Sequence, residues 1–152
     1  MYKFFQYNWQ VRDDWFSWCE QLPVEELLKL RTGGVGNILH TLLHIMDVEY
    51  SWIRAIQRKQ DIGIDYNKYH SINVVRDLSN HYRDEINDFF SGDNIRSNQV
   101  VTAPWMEGEF TQQEILHHII AHEIHHIGQL SIWARELDLK PVSANVIFRG
   151  LF

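Results

Sequence analysis

The fold is decided by TQQEILHHIIAHEIHHIGQL, the stretch at residues 111–130. It opens with Thr111-Gln112-Gln113-Glu114, a pattern in which the threonine hydroxyl and the glutamate carboxylate satisfy free backbone N–H groups at the start of a helix. Apolar residues then recur every three or four positions, which is the spacing of an amphipathic helix. We therefore predict a long helix that has Thr111 as its N-cap and ends at residue 137 or 139, before Pro141.

Two histidines lie within the apolar stripe of this predicted helix. His122 and His126 are four residues apart, so their side chains project from the same face, one turn apart. Buried imidazoles need hydrogen-bond partners or a metal ion, because an unpaired polar group is costly to bury. The spacing favours two ligands for one metal ion, and the alternative is a pair of core histidines bonded to neighbouring side chains. The rest of the stripe consists of Ile115, Ile119, Leu130, Trp133 and Leu137.

The chain has nine histidines, and three more of them lie in this helix. His118 and His125 fall at the border of the apolar stripe, and His117 points to the opposite side. We interpret all three as partly exposed surface or interface residues. His118 could also orient a ligand without binding the metal ion itself, and the spacing does not decide its role.

The segment His122-Glu123-Ile124-His125-His126 also matches the HExxH pattern of zinc metalloproteases, in which the glutamate is a general base. No histidine follows His126, so the extended form of that pattern is absent. The sequence also predicts no strand beside which a peptide substrate could bind. Proteolysis is therefore disfavoured, and a third ligand must come from an earlier segment.

An earlier predicted helix, at residues 35–59, offers two candidates for that ligand. His44 lies closer to the apolar face than His40 does, but the spacing alone leaves both open. Glu49 falls in the middle of the apolar row, where a carboxylate is rarely unpaired. It either orients a ligand histidine through the free ring nitrogen or forms a salt bridge with an arginine of another helix.

The remaining pattern predicts an all-α protein, a four-helix bundle in a single domain of residues 1–152. Two further helices are predicted at residues 1–20 and 73–90, and the connection at residues 91–110 is read as irregular apart from Val100-Val101. The first helix is apolar on two faces, and one of these could face a partner subunit. The last residues, 142–152, are expected to pack back on the body.

Composition narrows the function classes. Fourteen Lys and Arg against twenty Asp and Glu give a formal charge of −6, with no basic run, which disfavours a nucleic-acid partner. No apolar run reaches the roughly 20 residues of a membrane span. Cys19 is the only cysteine, so it can form no internal disulfide, and we expect a cytoplasmic protein in which it is a small core residue.

The segment at residues 43–52, LHIMDVEYSW, together with His122–Leu130, resembles the DinB-like family of bacterial DNA-damage-inducible proteins. The resemblance covers most of the chain. It implies a four-helix bundle, commonly a homodimer, with a divalent metal ion held by three histidines. By motif position these are His44, His122 and His126, which resolves the choice on the earlier helix. Gln129 lies near that site with no assigned role.

The resemblance also implies a class of chemistry. Relatives include thiol S-transferases that use a low-molecular-weight thiol, such as bacillithiol or mycothiol, and an electrophilic small molecule. Three neutral imidazoles leave a coordination position open, and a bound metal ion stabilises a thiolate or lowers the pKa of water. Zinc or nickel is favoured, with iron, manganese or copper as alternatives. The competing functions are a metal-dependent hydrolase and a non-catalytic dimeric stress-response or binding module. No catalytic residue is identified, and the pocket is expected to be lined by the loop around Trp105 and by the ends of the first two predicted helices.

Overall fold

The computed structural model describes residues 1–92, 95–96 and 98–152. This part of the chain is mostly helical, with one two-stranded sheet and a short 3-10 turn at Tyr66–Lys68. Its elements are α1 (Tyr2–Cys19), α2 (Val24–Leu27), α3 (Ile38–Ile56), α4 (Ile72–Ser91), β1 (Val100–Ala103), β2 (Met106–Thr111) and α5 (Gln112–Glu136). The predicted helical class is confirmed, and the sheet is an addition to it.

The helix that carries the two spaced histidines begins as the sequence predicts. The Thr111 side chain accepts a hydrogen bond from the backbone N–H of Glu114, and the Glu114 carboxylate accepts one from the backbone N–H of Thr111 at 2.8 Å. Such reciprocal bonds satisfy donors that have no partner within the helix. They fix where α5 begins, and therefore which residues of α5 face the interior.

The helix α3 begins three residues later than predicted. Asn37 is its N-cap, and its side-chain oxygen accepts a hydrogen bond from the backbone N–H of His40 at 2.8 Å. The two preceding glycines, Gly34 and Gly36, have φ values of 54° and 97°, which are not helical. The helical turns of α3 therefore start just before His40 and carry His44 one turn further on.

The four long helices contact one another in pairs. α3 packs against α4 and α5, and α1 packs against the same two helices. Arg12 of α1 joins all of them, because its guanidinium contacts side chains of α3, α4 and α5. The core between the helices includes Phe5, Trp15, Leu42, Ile53, Ile86 and Ile119, all at most 1% exposed.

The hairpin corrects the prediction for residues 91–110, which we expected to be largely irregular. β1 and β2 pair antiparallel, with Val101 opposite Phe110 and Ala103 opposite Met106. The β2 side chains are mostly exposed, so no alternation of apolar and polar residues marks the strand in the sequence. The hairpin contacts α3 and α5. Asp93, Asn94 and Ser97 of the same connection lie outside the described residues.

Both apolar faces of α1 are buried within this chain beyond its first turn, where Tyr2 and Phe4 are 36% and 39% exposed. Trp9 and Phe16 represent one face and Val11 and Trp15 the other, and all are at most 5% exposed. Most of the two apolar rows of α1 is therefore buried by this chain itself, and a partner subunit at this helix stays a prediction. The last residues pack back on this helix, as predicted, since the Tyr7 hydroxyl donates a hydrogen bond to the carbonyl of Ala144 at 2.7 Å. Within the described residues, no helix is both long and apolar enough to cross a bilayer.

Candidate metal centre

Three histidines from two helices bring their ring nitrogens together. The Nε2 atom of His122 lies 3.1 Å from the Nε2 atoms of both His44 and His126. His44 comes from α3, whereas the other two are one turn apart on α5, so the site depends on the packing of α3 against α5. These are the three residues that the resemblance implied.

The spacing of these nitrogens fits a single metal ion. Metal–nitrogen bonds of about 2.0–2.1 Å place two ligands of a tetrahedral ion about 3.3–3.4 Å apart, close to the distances found here. In the described part of the chain, this is the one group of three or more potential ligands whose atoms lie within 4.8 Å of one another. The donor set, three imidazoles, suits zinc, copper, iron or nickel.

Gln129 fixes the tautomer of His126. Its Oε1 atom lies 2.7 Å from His126 Nδ1, and an amide oxygen only accepts, so the ring proton belongs on Nδ1. The Gln129 amide nitrogen is 3.1 Å from Nε2 of the exposed His125, which orients the amide. His126 Nε2 therefore presents a lone pair to the centre.

Gly34 leaves room for this glutamine. A Cβ atom at Gly34 would lie 2.8 Å from Gln129 Oε1, closer than such atoms approach, and its φ of 54° is in the left-handed region. A glycine here lets the loop before α3 pass close to the amide that orients His126.

Tyr66 has the corresponding place beside His44. The Tyr66 hydroxyl donates to Asp47 Oδ2 at 3.1 Å, so its oxygen can accept from His44 Nδ1, which lies 3.5 Å away. This longer contact also favours a proton on Nδ1 and a lone pair on Nε2. A proton on His122 Nε2 could be donated well to only one of the two Nε2 lone pairs, that of His44 or that of His126. A cation would bind all three nitrogens.

The surroundings keep these imidazoles neutral. Burial lowers the pKa of His44, His122 and His126, and the neighbouring histidines lower them further. The effect is largest at His122, whose pKa falls to about 3. Neutral imidazole is the form that binds metal, so the ligands are ready to bind at neutral pH.

A cavity of about 250 Å³ opens beside His44. Its wall includes Asp47, Ser51, Trp52, Asp61 and Trp105. Trp105 lies in the turn of the hairpin, and its ring is 5.2 Å from that of Trp52. The predicted lining by the loop around Trp105 and by α3 agrees with this geometry, whereas no residue of α1 is among the described residues that line the cavity.

Comparison with known proteins tests the resemblance to the DinB-like family. The model of the DinB family matches residues 1–149. The chain belongs to the DinB family. It is 62% identical over 154 residues to the uncharacterized protein YizA of Bacillus subtilis (strain 168), across 99% of this chain and 96% of that protein. The predicted resemblance is confirmed, and neither name states a reaction.

The other histidines of this DinB-family chain lie around the centre. His117, His118 and His125 are exposed, in agreement with the expectation of partly exposed residues. The His118 ring lies 5.7 Å from that of His122. His40 contacts the Tyr66 ring at 5.5 Å and is outside the group of converging nitrogens.

The two acidic residues singled out from the sequence point away from the centre. Arg12 donates to the Glu123 carboxylate at 2.9 and 2.5 Å and to Glu49 at 2.8 Å. Glu49 also accepts from Trp9 Nε1 at 2.8 Å. Of the two interpretations of Glu49, the salt bridge is correct and the orientation of a ligand histidine is wrong.

These contacts also remove the protease interpretation. Glu123 is 1% exposed and bidentate to Arg12, so it cannot reach a substrate as a general base. Burial raises the pKa of the Glu123 carboxyl, while the charge of Arg12 opposes this shift. Burial by itself would lower the pKa of Arg12, but the two carboxylates outweigh it and hold the guanidinium ionised.

Sequence reasoning missed Tyr66, Asp47 and Asp61. They lie on α3 and in the connection to α4, and no repeat or spacing relates residues 61 and 66 to the metal ligands. Gln129 was placed near the site because it is three residues beyond His126 on the same helix. A polar residue at that spacing is the available signal, since residues three apart are neighbours on a helix surface.

Proposed function

We propose that this protein holds a divalent metal ion through His44, His122 and His126, in a single four-helix-bundle domain formed mainly by α1, α3, α4 and α5. The observation that carries the proposal is the convergence of three Nε2 atoms, 3.1 Å apart in two pairs. The Nδ1 atoms of His126 and His44 face Gln129 and Tyr66, which is how ligand histidines are usually oriented.

The donor set supports zinc or nickel as the resident ion, with iron or manganese as alternatives. Three neutral imidazoles do not compensate the charge of a divalent ion, and they leave at least one coordination position for another ligand. The cavity beside His44 provides space for that ligand.

We infer that the site serves a metal-dependent thiol S-transferase, which joins a low-molecular-weight thiol to an electrophilic small molecule. A divalent ion in such a site acts as a Lewis acid that favours the deprotonated form of a thiol or a water molecule. The chain itself orients His44 and His126 and lines the cavity beside His44 with Trp52 and Trp105. Thiol transfer is preferred to hydrolysis of the metalloprotease type because Glu123, the general base of that pattern, is bound to Arg12.

A homodimer in the cytoplasm is part of the proposal. The exposed face of α5 carries Ile124 at 45% and Ile132 at 58% exposure, with the exposed Gly128 between them. Residues four apart lie on one face of a helix, so these form an apolar strip on which a second copy could pack. The other function class, a non-catalytic dimeric module, shares this surface and differs in having no reaction with thiols.

The metal site is tested by elemental analysis of untagged protein. We expect close to one divalent ion per chain in the wild type and its loss in His126→Ala. His117→Ala is the matched control, since His117 is exposed on the same helix. Protein that stays free of metal after incubation with zinc and nickel would contradict the proposal.

The reaction is tested separately on metal-loaded protein. We expect thiol-dependent loss of an electrophile such as a halogenated bimane, with His44→Ala inactive and His117→Ala unaffected. Full metal occupancy with no rate above the uncatalysed reaction, for bacillithiol and for mycothiol, would favour the non-catalytic module.

A further inference from the structure

The cavity beside His44 contains two carboxylates that have no cationic partner. Asp61 Oδ1 is buried and has no hydrogen-bond partner in the described part of the chain. Asp47 accepts a hydrogen bond from Tyr66, which is a neutral donor. Among the described residues, the ion pairs formed by lysine and arginine include neither carboxylate. Partly buried carboxylates without a counter-charge are costly, so this wall of the cavity is suited to a cation.

Asp47 is affected by its burial and by the charge of Asp61. Burial raises the pKa of the Asp47 carboxyl, the bond from Tyr66 lowers it, and the charge of Asp61 raises it again. A positive group placed near both would relieve the burial cost and the mutual repulsion together.

Two tryptophans also line this cavity. The Trp52 and Trp105 rings lie edge to face, with their centroids 5.2 Å apart and their planes at 77°. Indole faces attract ammonium groups, and the effect is strongest where water is excluded. Hard metal ions instead take six or more oxygen ligands, and two carboxylates beside two indole rings do not provide them. This lining therefore favours an organic ammonium group over a second metal ion.

We propose that this cavity binds the primary ammonium group of a ligand whose thiol reaches the histidine centre, so that the substrate class is a short aminothiol. The inference rests on the proposed metal site. Asp47 lies three residues after His44 on α3, and such neighbours have Cβ atoms about 5–6 Å apart. A chain of a few atoms is thus long enough to join the two positions. A larger cavity of about 520 Å³ shares Asp61 and Trp105 with this one and can hold the remainder of a bigger ligand. Its lining also includes Arg58 and Lys59, of which Lys59 forms an ion pair with Glu85.

The test compares three thiols on the cobalt-substituted protein: cysteamine, 2-mercaptoethanol and 3-mercaptopropionate, which carry a positive, a neutral and a negative group. Cobalt loading is read first from its visible absorption, and thiol binding is then followed by the sulfur-to-cobalt charge-transfer band. We expect cysteamine to bind most tightly and 3-mercaptopropionate most weakly. Asp61→Asn should reduce the preference for cysteamine over 2-mercaptoethanol about tenfold or more, the usual size of a charge-assisted hydrogen bond.

The ratio between variants is the decisive quantity, because the intrinsic acidities of the thiols cancel in it. Asp61→Asn is a mild change, since Asp61 Oδ1 has no partner to lose. Asp77→Asn, which makes the same charge change on the exposed side of α4, should leave the preference unchanged. An equal preference in wild type and Asp61→Asn overturns the ammonium pocket while the metal site stands. More than one cobalt per chain, reduced to one by Asp61→Asn, would assign the carboxylates to a second metal ion and also overturn it.

A metal-free arm separates the two proposals. If cobalt does not bind, the proposed metal site is wrong. The pocket is then tested by titrating ethylammonium chloride into metal-free protein and following the indole N–H resonances of Trp52 and Trp105. Shifts in the wild type that disappear in Asp61→Asn support an ammonium pocket. Resonances that do not move in the wild type overturn it.

Discussion

Arg12 offers the sharpest test of how this fold is held together. It is 1% exposed and connects Glu49 and Glu123, which are 2% and 1% exposed, while its Nη1 atom lies 3.4 Å from Ser79 Oγ. Arg12→Met keeps much of the side-chain volume and removes the charge. Both carboxylates then remain buried without a counter-charge.

The expected loss follows from that burial. Removing one partner of a buried ion pair costs about 3–5 kcal/mol, out of a total stability of about 5–15 kcal/mol for a typical domain. For a chain of this length, a loss of that size lowers the melting temperature by roughly 6–20 °C. Urea unfolding at pH 7, fitted to a two-state transition with an unchanged slope, measures the free energy directly.

A matched variant controls for the loss of an arginine as such. Arg76→Met breaks an ion pair with Glu20 whose side chains are 30% and 49% exposed, and such a pair contributes less than about 1 kcal/mol. Adding Glu123→Gln to Arg12→Met should recover part of the loss, because it removes one uncompensated charge. An Arg12→Met protein that loses no more stability than Arg76→Met would refute this account.

The other predictions concern the centre and the helix that bears it. Gln129→Leu should weaken metal affinity about 10–100-fold, because it removes the hydrogen bond that orients the His126 ring. A competition titration against a chelator measures the affinity, and Gln113→Leu at an exposed position of the same helix is the control. Metal-free protein should lose stability as the pH falls below about 6.5, since the lowered pKa of His122 makes the unfolded chain bind protons first. Urea midpoints from pH 7.5 to 5 check this, and a pH dependence that is the same in His122→Gln would contradict it. Thr111→Ala should lower the free energy of unfolding by about 1 kcal/mol, because it removes the N-cap of α5. The melting temperature should fall by about 2–4 °C, and no change would mean that solvent replaces the cap.

Local patterns in the sequence predicted the parts of this protein that depend on neighbours along the chain. The Thr111 cap and the four-residue spacing of His122 and His126 are properties of one helix, and the structure has both. The burial of His126 and the exposure of His117 follow from the same periodicity. Helical geometry relates residues three and four apart in a fixed way, so such features can be read without a tertiary fold.

Patterns of neighbouring residues predicted neither strand β2 nor the partner of Glu49. β2 is formed by hydrogen bonds to β1, and its exposed side chains carry no periodic signal. Glu49 could be assigned to the histidines or to an arginine until Arg12 was seen to lie beside it. Which of two polar groups meets a buried carboxylate depends on how α1 packs against the other helices.

The sequence by itself determined a mostly helical chain, its DinB family and a helix that presents two imidazoles on one face. Only the tertiary structure showed that the ring nitrogen of His44 meets those of α5, that Gln129 and Tyr66 set the tautomers, and that Asp61 and Trp105 line the cavity beside His44. The division has a physical reason. Side-chain direction along a helix is fixed by local backbone geometry, whereas contacts between residues 44, 66 and 126 exist only after distant segments have packed.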